Sequence, residues 1–463
     1  MSVTRASVIA VACFIAAATL IGCAPGRHES TAQVPLPDSF STEGEAVLPS
    51  RWWRHFDDQA LNRLESAAMA GSFSMAAARA RLRQARAVVR IEGADLKPSL
   101  DGTVEASDQR NGSTGGDSYS AGLVAGYEVD LWGGVAAEAT AARLEAQATR
   151  FDLRAAAVSL TAEVATTYYT LLRQRAVVAL LQRQLEVSEQ IAELVRVRYR
   201  NGQANLDELL RQRQLSEQTA TRLETARGEV QRQRTDLAAL VGRPPEALAL
   251  PAGHERVMVP PRPAIGVPAG WLRERPDLAA AYLRVRSADA EVASAIAAQY
   301  PSLDLSASLT SSALAPAALF EDWVTQLAAS LAVPLIRGGA LEAQVERDRA
   351  ARAVAFNEYA QAAVDAAAEV EQALIAERTD RRVLQGLERE LELAERAHQQ
   401  LRLRYLKGAA NYLDVLDALS SLQDTQRDVL EARWELLLDR IALIRTVAGG
   451  GFGETGLDST EGN

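Results

Sequence analysis

RYRNGQANLDELL, residues 198–210, and RYLKGAANYLDVL, residues 404–416, are two versions of one stretch. Tyr199 pairs with Tyr405 and Gly202 with Gly408, 206 residues apart. Beyond the glycines the match reads as resuming after one inserted residue, with Asp207 on Asp414 and Leu209 on Leu416. In each copy a long helical pattern precedes the Arg-Tyr pair and a second one follows the glycine. The pattern predicts the tip of a helical hairpin. Glycine ends the first helix because it takes left-handed dihedrals at little steric cost. Asn205 and Asn411 stand where a side-chain oxygen can cap the second helix.

Working outward, the repeat widens. LKPSLDG (96–102) recurs as QYPSLDL (299–305), and YEVDLWGG (127–134) recurs loosely as AVPLIRGG (332–339). A period near 200 residues is a duplicated domain-sized unit and not a solenoid. Each half reads helix, strand pair, long helix, tip, helix. Helices are expected at about 58–70 and 74–96, with Gly71 between them. A helical pattern then runs from 135 to 200 without proline, and another from 340 to 407; each is roughly 65 residues, or ~100 Å. Their partners, 206–241 and 412–447, span about 55 Å. Helices this long suggest coiled coils or helical tubes.

The strand pairs lie at about 98–131 and 302–335. In the first, Leu100, Gly102, Val104 and Ala106 share one face, and Ser99, Asp101, Thr103, Glu105 and Ser107 the other. The return strand puts Tyr119, Ala121, Leu123, Ala125, Tyr127, Val129 and Leu131 on one face. Loops are expected at 109–117 and 313–322. Strands of ~10–14 residues that alternate small-polar with apolar fit a transmembrane β-barrel, with one face to lipid and one to water. A half-buried soluble hairpin has the same period. Tyr119, Tyr127, Trp132 and Trp323 at strand ends favour the membrane, as an aromatic girdle would. Four strands cannot close a barrel when the smallest have about eight. An open edge cannot face lipid, so further copies of the chain must complete it.

The chain has 463 residues and a formal charge of -10, so a nucleic-acid partner has no electrostatic support. Aromatics are only 5%, low for a thick globular core. Arg5 is followed by an apolar run, 6–21, of signal-peptide length that ends LIGC at Cys23. That ending resembles the bacterial lipobox, in which Cys23 is lipidated and heads the mature chain; Ala24 after it resembles sorting to the outer membrane. Acyl chains anchor without spanning. No later stretch reaches the ~18 apolar residues of a spanning helix. The expected organisation is a signal peptide at 1–22, a lipidated tether at 23–56, and a first repeat at 57–241. A Pro-rich linker at 242–270, a second repeat at 271–448 and a disordered tail at 449–463 follow. His28, His55, His254 and His398 are scattered without metal-ligand spacing, and no nucleophile elbow, Walker A or dinucleotide fingerprint occurs. No enzyme activity, metal or cofactor is expected.

LIGC, WWRHFDD (52–58), YEVDLWG, LRERPDLAAA (272–281), QYPSLDL and the two tip motifs together resemble the bacterial outer-membrane efflux factor family. These are the TolC-like channels, and within them the lipidated OprM-like/NodT branch. The motifs cover nearly the whole mature chain in the family's order. The resemblance implies an α+β membrane protein: a homotrimer whose protomers each give four strands to one 12-stranded β-barrel. That barrel would be continued by a long periplasmic α-helical barrel of coiled-coil hairpins. It implies an exit duct of a tripartite efflux system in the outer membrane, extending into the periplasm. The duct would passively conduct cargo delivered by a periplasmic membrane-fusion adaptor and an inner-membrane pump, most often of the RND class. The alternatives are the outer-membrane component of a type I protein secretion system or a periplasmic coiled-coil adaptor lipoprotein. Residue by residue, Asp414 and Asp417 match the family's aperture aspartates. Tyr405 matches the tyrosine that holds the closed state, and Asp207 its acceptor. Gly202 and Gly408 match the tips that face the adaptor. The family's arginine between second tip and aspartates is absent; Ala410 or Asn411 stands there.

Overall fold

The computed structural model describes residues 51–111, 114–248 and 275–447. Cys23, the signal and tether up to residue 50, most of the linker and the tail lie outside them. Short 3-10 turns aside, eleven elements follow in order. They are α1 (Gln59–Gly71), α2 (Phe73–Glu92), β1 (Ser99–Asn111), β2 (Thr114–Val129), α3 (Gly134–Arg200) and α4 (Leu206–Val241). Then come α5 (Pro276–Ala297), β3 (Ser302–Ala313), β4 (Val324–Ala332), α6 (Ala340–Leu406) and α7 (Tyr412–Val447).

The two halves match in length. α3 and α6 each have 67 residues, and α4 and α7 each have 36. All four begin and end at one constant spacing, which corrects the reading of an inserted residue past the tip. Asp414 therefore stands where Glu208 stands, third in its helix, and not where Asp207 does. Two other expectations shift. α2 stops at Glu92, short of Leu96, because Gly93 and two successive turns lead to Pro98. The strands also run deep into the expected loop at 109–117, with pairing up to Asn111↔Thr114. Backbone ladder bonds form there whatever the small side chains prefer.

The chain forms two compact units. The first holds the sheet, in antiparallel order β1-β2-β3-β4. Its register extends the sequence alternation across all four strands. Leu100, Ala125, Ala307 and Leu327 form one row, and Gly102, Leu123, Leu309 and Thr325 the next. The opposite face carries Thr103, Glu105, Ser118, Ser120, Ser306, Ser308, Thr310, Gln326 and Ser330, because successive side chains point to opposite faces. Much of the apolar face is bare in one chain: Val104 is 84% and Leu327 80% exposed. Among the described residues of one chain, β1 and β4 are unpaired edges. Below the strands, Asp130 caps α3 by accepting from the amides of Val135 (3.3 Å) and Ala136 (2.8 Å). Trp132 stacks on Tyr300 and donates to the Pro301 carbonyl at 2.8 Å.

The second unit holds the helical core. Asp58 caps α1 through the amides of Ala60 and Leu61, and its other oxygen accepts from Tyr168 at 3.0 Å. Trp52 donates to Thr161 at 3.3 Å. Leu61 and Ala68 of α1, Leu171 of α3, Leu237 of α4, and Leu437 and Ile441 of α7 belong to one buried apolar cluster. Where α1 and α4 end, two glycines meet. A Cβ on Gly242 would lie 2.3 Å from the Gly71 carbonyl oxygen, and Gly242 has a φ of +71. Gly242→Ala should therefore cost at least about 1 kcal/mol from the left-handed backbone alone, with the steric clash added. A thermal midpoint equal to wild type in detergent would show that the two helix ends do not need this approach.

Candidate functional site

The two tips share one geometry. Gly202 and Gly408 both have a φ of +70. The Gln203 amide donates to the Arg198 carbonyl, and that of Ala409 to Arg404, each at 2.8 Å. Gly202 donates to Tyr199 and Gly408 to Tyr405, completing the paired C-terminal bonds of a Schellman turn. Each preceding arginine then folds over its own turn: Arg198 reaches the Gln203 carbonyl at 3.5 Å and Arg404 that of Ala409 at 3.3 Å. A Cβ at either glycine would meet open space, so the dihedral and not crowding demands glycine. Asn205 makes no side-chain cap. At the second tip the Asn411 amide instead donates to the Asp414 carboxylate at 3.3 Å, the return bond of a capping box.

The structure does not join Tyr405 to Asp207. Asp207, second in α4, is exposed and has no hydrogen bond or ion pair among the described residues. The neighbouring Glu208 faces the tyrosine. The Tyr405 hydroxyl and Glu208 Oε2 are both buried, and neither closes a hydrogen bond of ordinary geometry among the described residues. Burial raises the Tyr405 pKa, Arg198 opposes this, and Glu208 adds to the rise. The Arg198 guanidinium sits 4.6 Å from the centre of the Tyr405 ring, a cation–π contact. Asp414 and Asp417 are exposed, three positions apart on α7, and so share a face.

What holds the two hairpins together lies just behind the tip and was missed in the sequence. Tyr412 is buried, and its hydroxyl donates to Gln212 Oε1 at 2.6 Å. Gln212 passes the chain on, donating to the Ser188 carbonyl at 2.8 Å. Gln423 donates to the Ser188 hydroxyl at 3.3 Å, and Gln184 donates to the Gln423 carbonyl and to Gln426, each at 3.0 Å. Arg427 closes the row on Gln184 at 2.9 Å. Gln184, Ser188, Gln212 and Gln423 are buried, so the bonds among them and to Tyr412 run in low dielectric, while those to Gln426 and Arg427 are half-buried. The one signal for this seam was spacing: Gln184 and Ser188, like Gln423 and Arg427, are four apart on a helix. Among the described residues no group of three or more His, Cys, Asp or Glu is placed to hold a metal.

Comparison with known proteins agrees with this architecture. The family described as outer membrane efflux protein matches residues 64–243 and again 268–449. The chain is 31% identical to the pyoverdine export outer membrane protein OpmQ of Pseudomonas aeruginosa, over 97% of this chain and 98% of that one. It is 25% identical to the cation efflux system protein CusC of Escherichia coli, over 94% and 98%. The open-state crystal structure of the Neisseria gonorrhoeae MtrE outer membrane channel matches with a TM-score of 0.85 and 25% identity, over 93% of this chain and all of that one. The two-fold family match, the near-complete coverage of these relatives and the paired hairpins lead to one conclusion: the chain belongs to the outer membrane efflux protein family, whose members are TolC-like efflux channels of the outer membrane and not enzymes.

Proposed function

We propose that three copies of this chain close a 12-stranded barrel in the outer membrane, and that their helices form a periplasmic α-barrel. The observation that carries this is the four-stranded sheet, with an apolar face largely bare and, among the described residues of one chain, both edge strands unpaired. Joining β4 of one copy to β1 of the next removes every open edge. Cys23 is the lipidated first residue after a signal peptide at 1–22, and 23–56 is its tether. Residues 57–241 and 271–448 are the two repeats, joined by 242–270 and followed by the tail at 449–463. Cargo arrives from an inner-membrane pump, of the RND class, through a periplasmic adaptor that docks on the Gly202 and Gly408 tips. Asp414 and Asp417 line the aperture as two rings of three carboxylates, with Asp207 on the first turn of the other hairpin. Tyr405 acts with Glu208 and Arg198 in holding the tip.

Rings of carboxylates favour cations. The purified protein should run as three copies by native mass measurement and conduct in planar bilayers with cation preference. Asp414→Asn with Asp417→Asn should lose most of that preference and its block by multivalent cations, while unitary currents persist. A double variant indistinguishable from wild type in selectivity and block would move the constriction away from this end.

A further inference from the structure

Four acids are buried among the described residues: Asp58, Glu65, Asp348 and Glu377. Three have partners: Asp58 accepts from Tyr168 and from the amides it caps, Asp348 pairs with Arg347, and Glu377 pairs with Arg440. Glu65 is the exception. It is 0% exposed, and neither of its carboxyl oxygens has a hydrogen-bond partner among the described residues. It lies on α1 between the buried Leu61, Leu64 and Ala68. From α3 the titratable group that feels it is Tyr169. The adjacent Tyr168 is taken by Asp58, and the nearby cations Arg63 and Arg175 act on Tyr168. The cluster that α1 packs into draws apolar side chains from α4 (Leu237, Ala238, Val241) and from α7 (Leu437, Ile441). A bare carboxylate in such surroundings takes up a proton instead of remaining charged.

We propose that Glu65 is a proton-operated clasp: α1 docks on the helical unit with this carboxyl neutral, and loss of its proton releases α1. Trp52 on Thr161 and Asp58 on Tyr168 belong to the same docked segment, so release frees the chain leading into α1 as well. Burial raises the Glu65 pKa well above the ordinary value, with no cation opposing the shift. The sign follows from that direction. Docking is at full strength below the ordinary glutamate pKa of about 4.3 and is lost as pH rises through the folded value.

Amide hydrogen exchange across residues 59–71 of the full-length protein in detergent, from about pH 5 to about pH 9, tests this once rates are corrected for intrinsic exchange. In wild type the opening equilibrium should rise about tenfold per pH unit until the folded pKa is passed. Glu65→Gln and Glu65→Met should both abolish that slope and leave α1 more protected than wild type at the alkaline end. If the glutamine variant fails to fold, because a buried amide also lacks partners, the methionine variant carries the comparison. A flat wild-type profile, or a slope that survives in either variant, overturns the proposal.

Discussion

Arg440→Met is expected to lower stability by about 3–5 kcal/mol. Arg440 of α7 is 2% exposed and donates to Glu377 of α6 at 2.6 Å; Glu377 is 1% exposed. Arg381, one turn along α6, also pairs with Glu377 but is 45% exposed. Removing Arg440 thus takes a buried cation from a buried carboxylate, and Arg381 stands at the rim. The cost is that of stranding a charge and not the net worth of the pair. Replacing both, Glu377→Leu with Arg440→Met, should recover most of the loss. Helical circular dichroism against temperature, in detergent, reads both variants. A single variant within about 0.5 kcal/mol of wild type, the range of an ordinary surface change, would show that the pair carries no such strain.

The second large effect is expected at the tip. Tyr412→Phe removes the hydroxyl bonded at 2.6 Å to Gln212 and leaves Gln212 Oε1 buried without its donor. That loss is worth about 1–3 kcal/mol per copy. It falls on the contact that joins α7 to α4, so the two hairpins should part more readily. Single-channel recording should show higher mean conductance for Tyr412→Phe. Tyr405→Phe should change it less, because the Tyr405 hydroxyl faces the Glu208 carboxylate without closing a hydrogen bond of ordinary geometry. The reverse ranking would mean that the buried seam behind the tip does not hold it closed.

The contrast between these tyrosines shows how far sequence reasoning reaches. Helix ends were legible because glycine and proline act locally: Gly202, Gly408, Gly242 and Pro276 each mark a boundary within a residue or two. The sheet was legible because alternation has a period of two, and its register follows once the faces are known. The tip contacts were harder. Aligning Asp207 with Asp414 rewarded residue identity over constant spacing, and it hid Glu208, the side chain that faces Tyr405. Gln184, Ser188, Gln212 and Gln423 look like surface residues on a helical wheel; nothing local says that a second hairpin covers them. Glu65 and Arg440 were invisible for the same reason, since burial of a charge is decided by distant elements.

The alternating sheet also bears on how the chain reaches its destination. Because most residues between the apolar ones are small or polar, its apolar face exists only after the strands are paired. During synthesis the same residues are spread along a chain of moderate polarity, and no helix among the described residues is long and apolar enough to cross a membrane. A translocation channel that diverts continuous greasy helices sideways into the inner bilayer finds nothing in this stretch to retain. The greasiness is in effect encrypted in the primary structure and becomes readable only when the sheet assembles, one membrane further on.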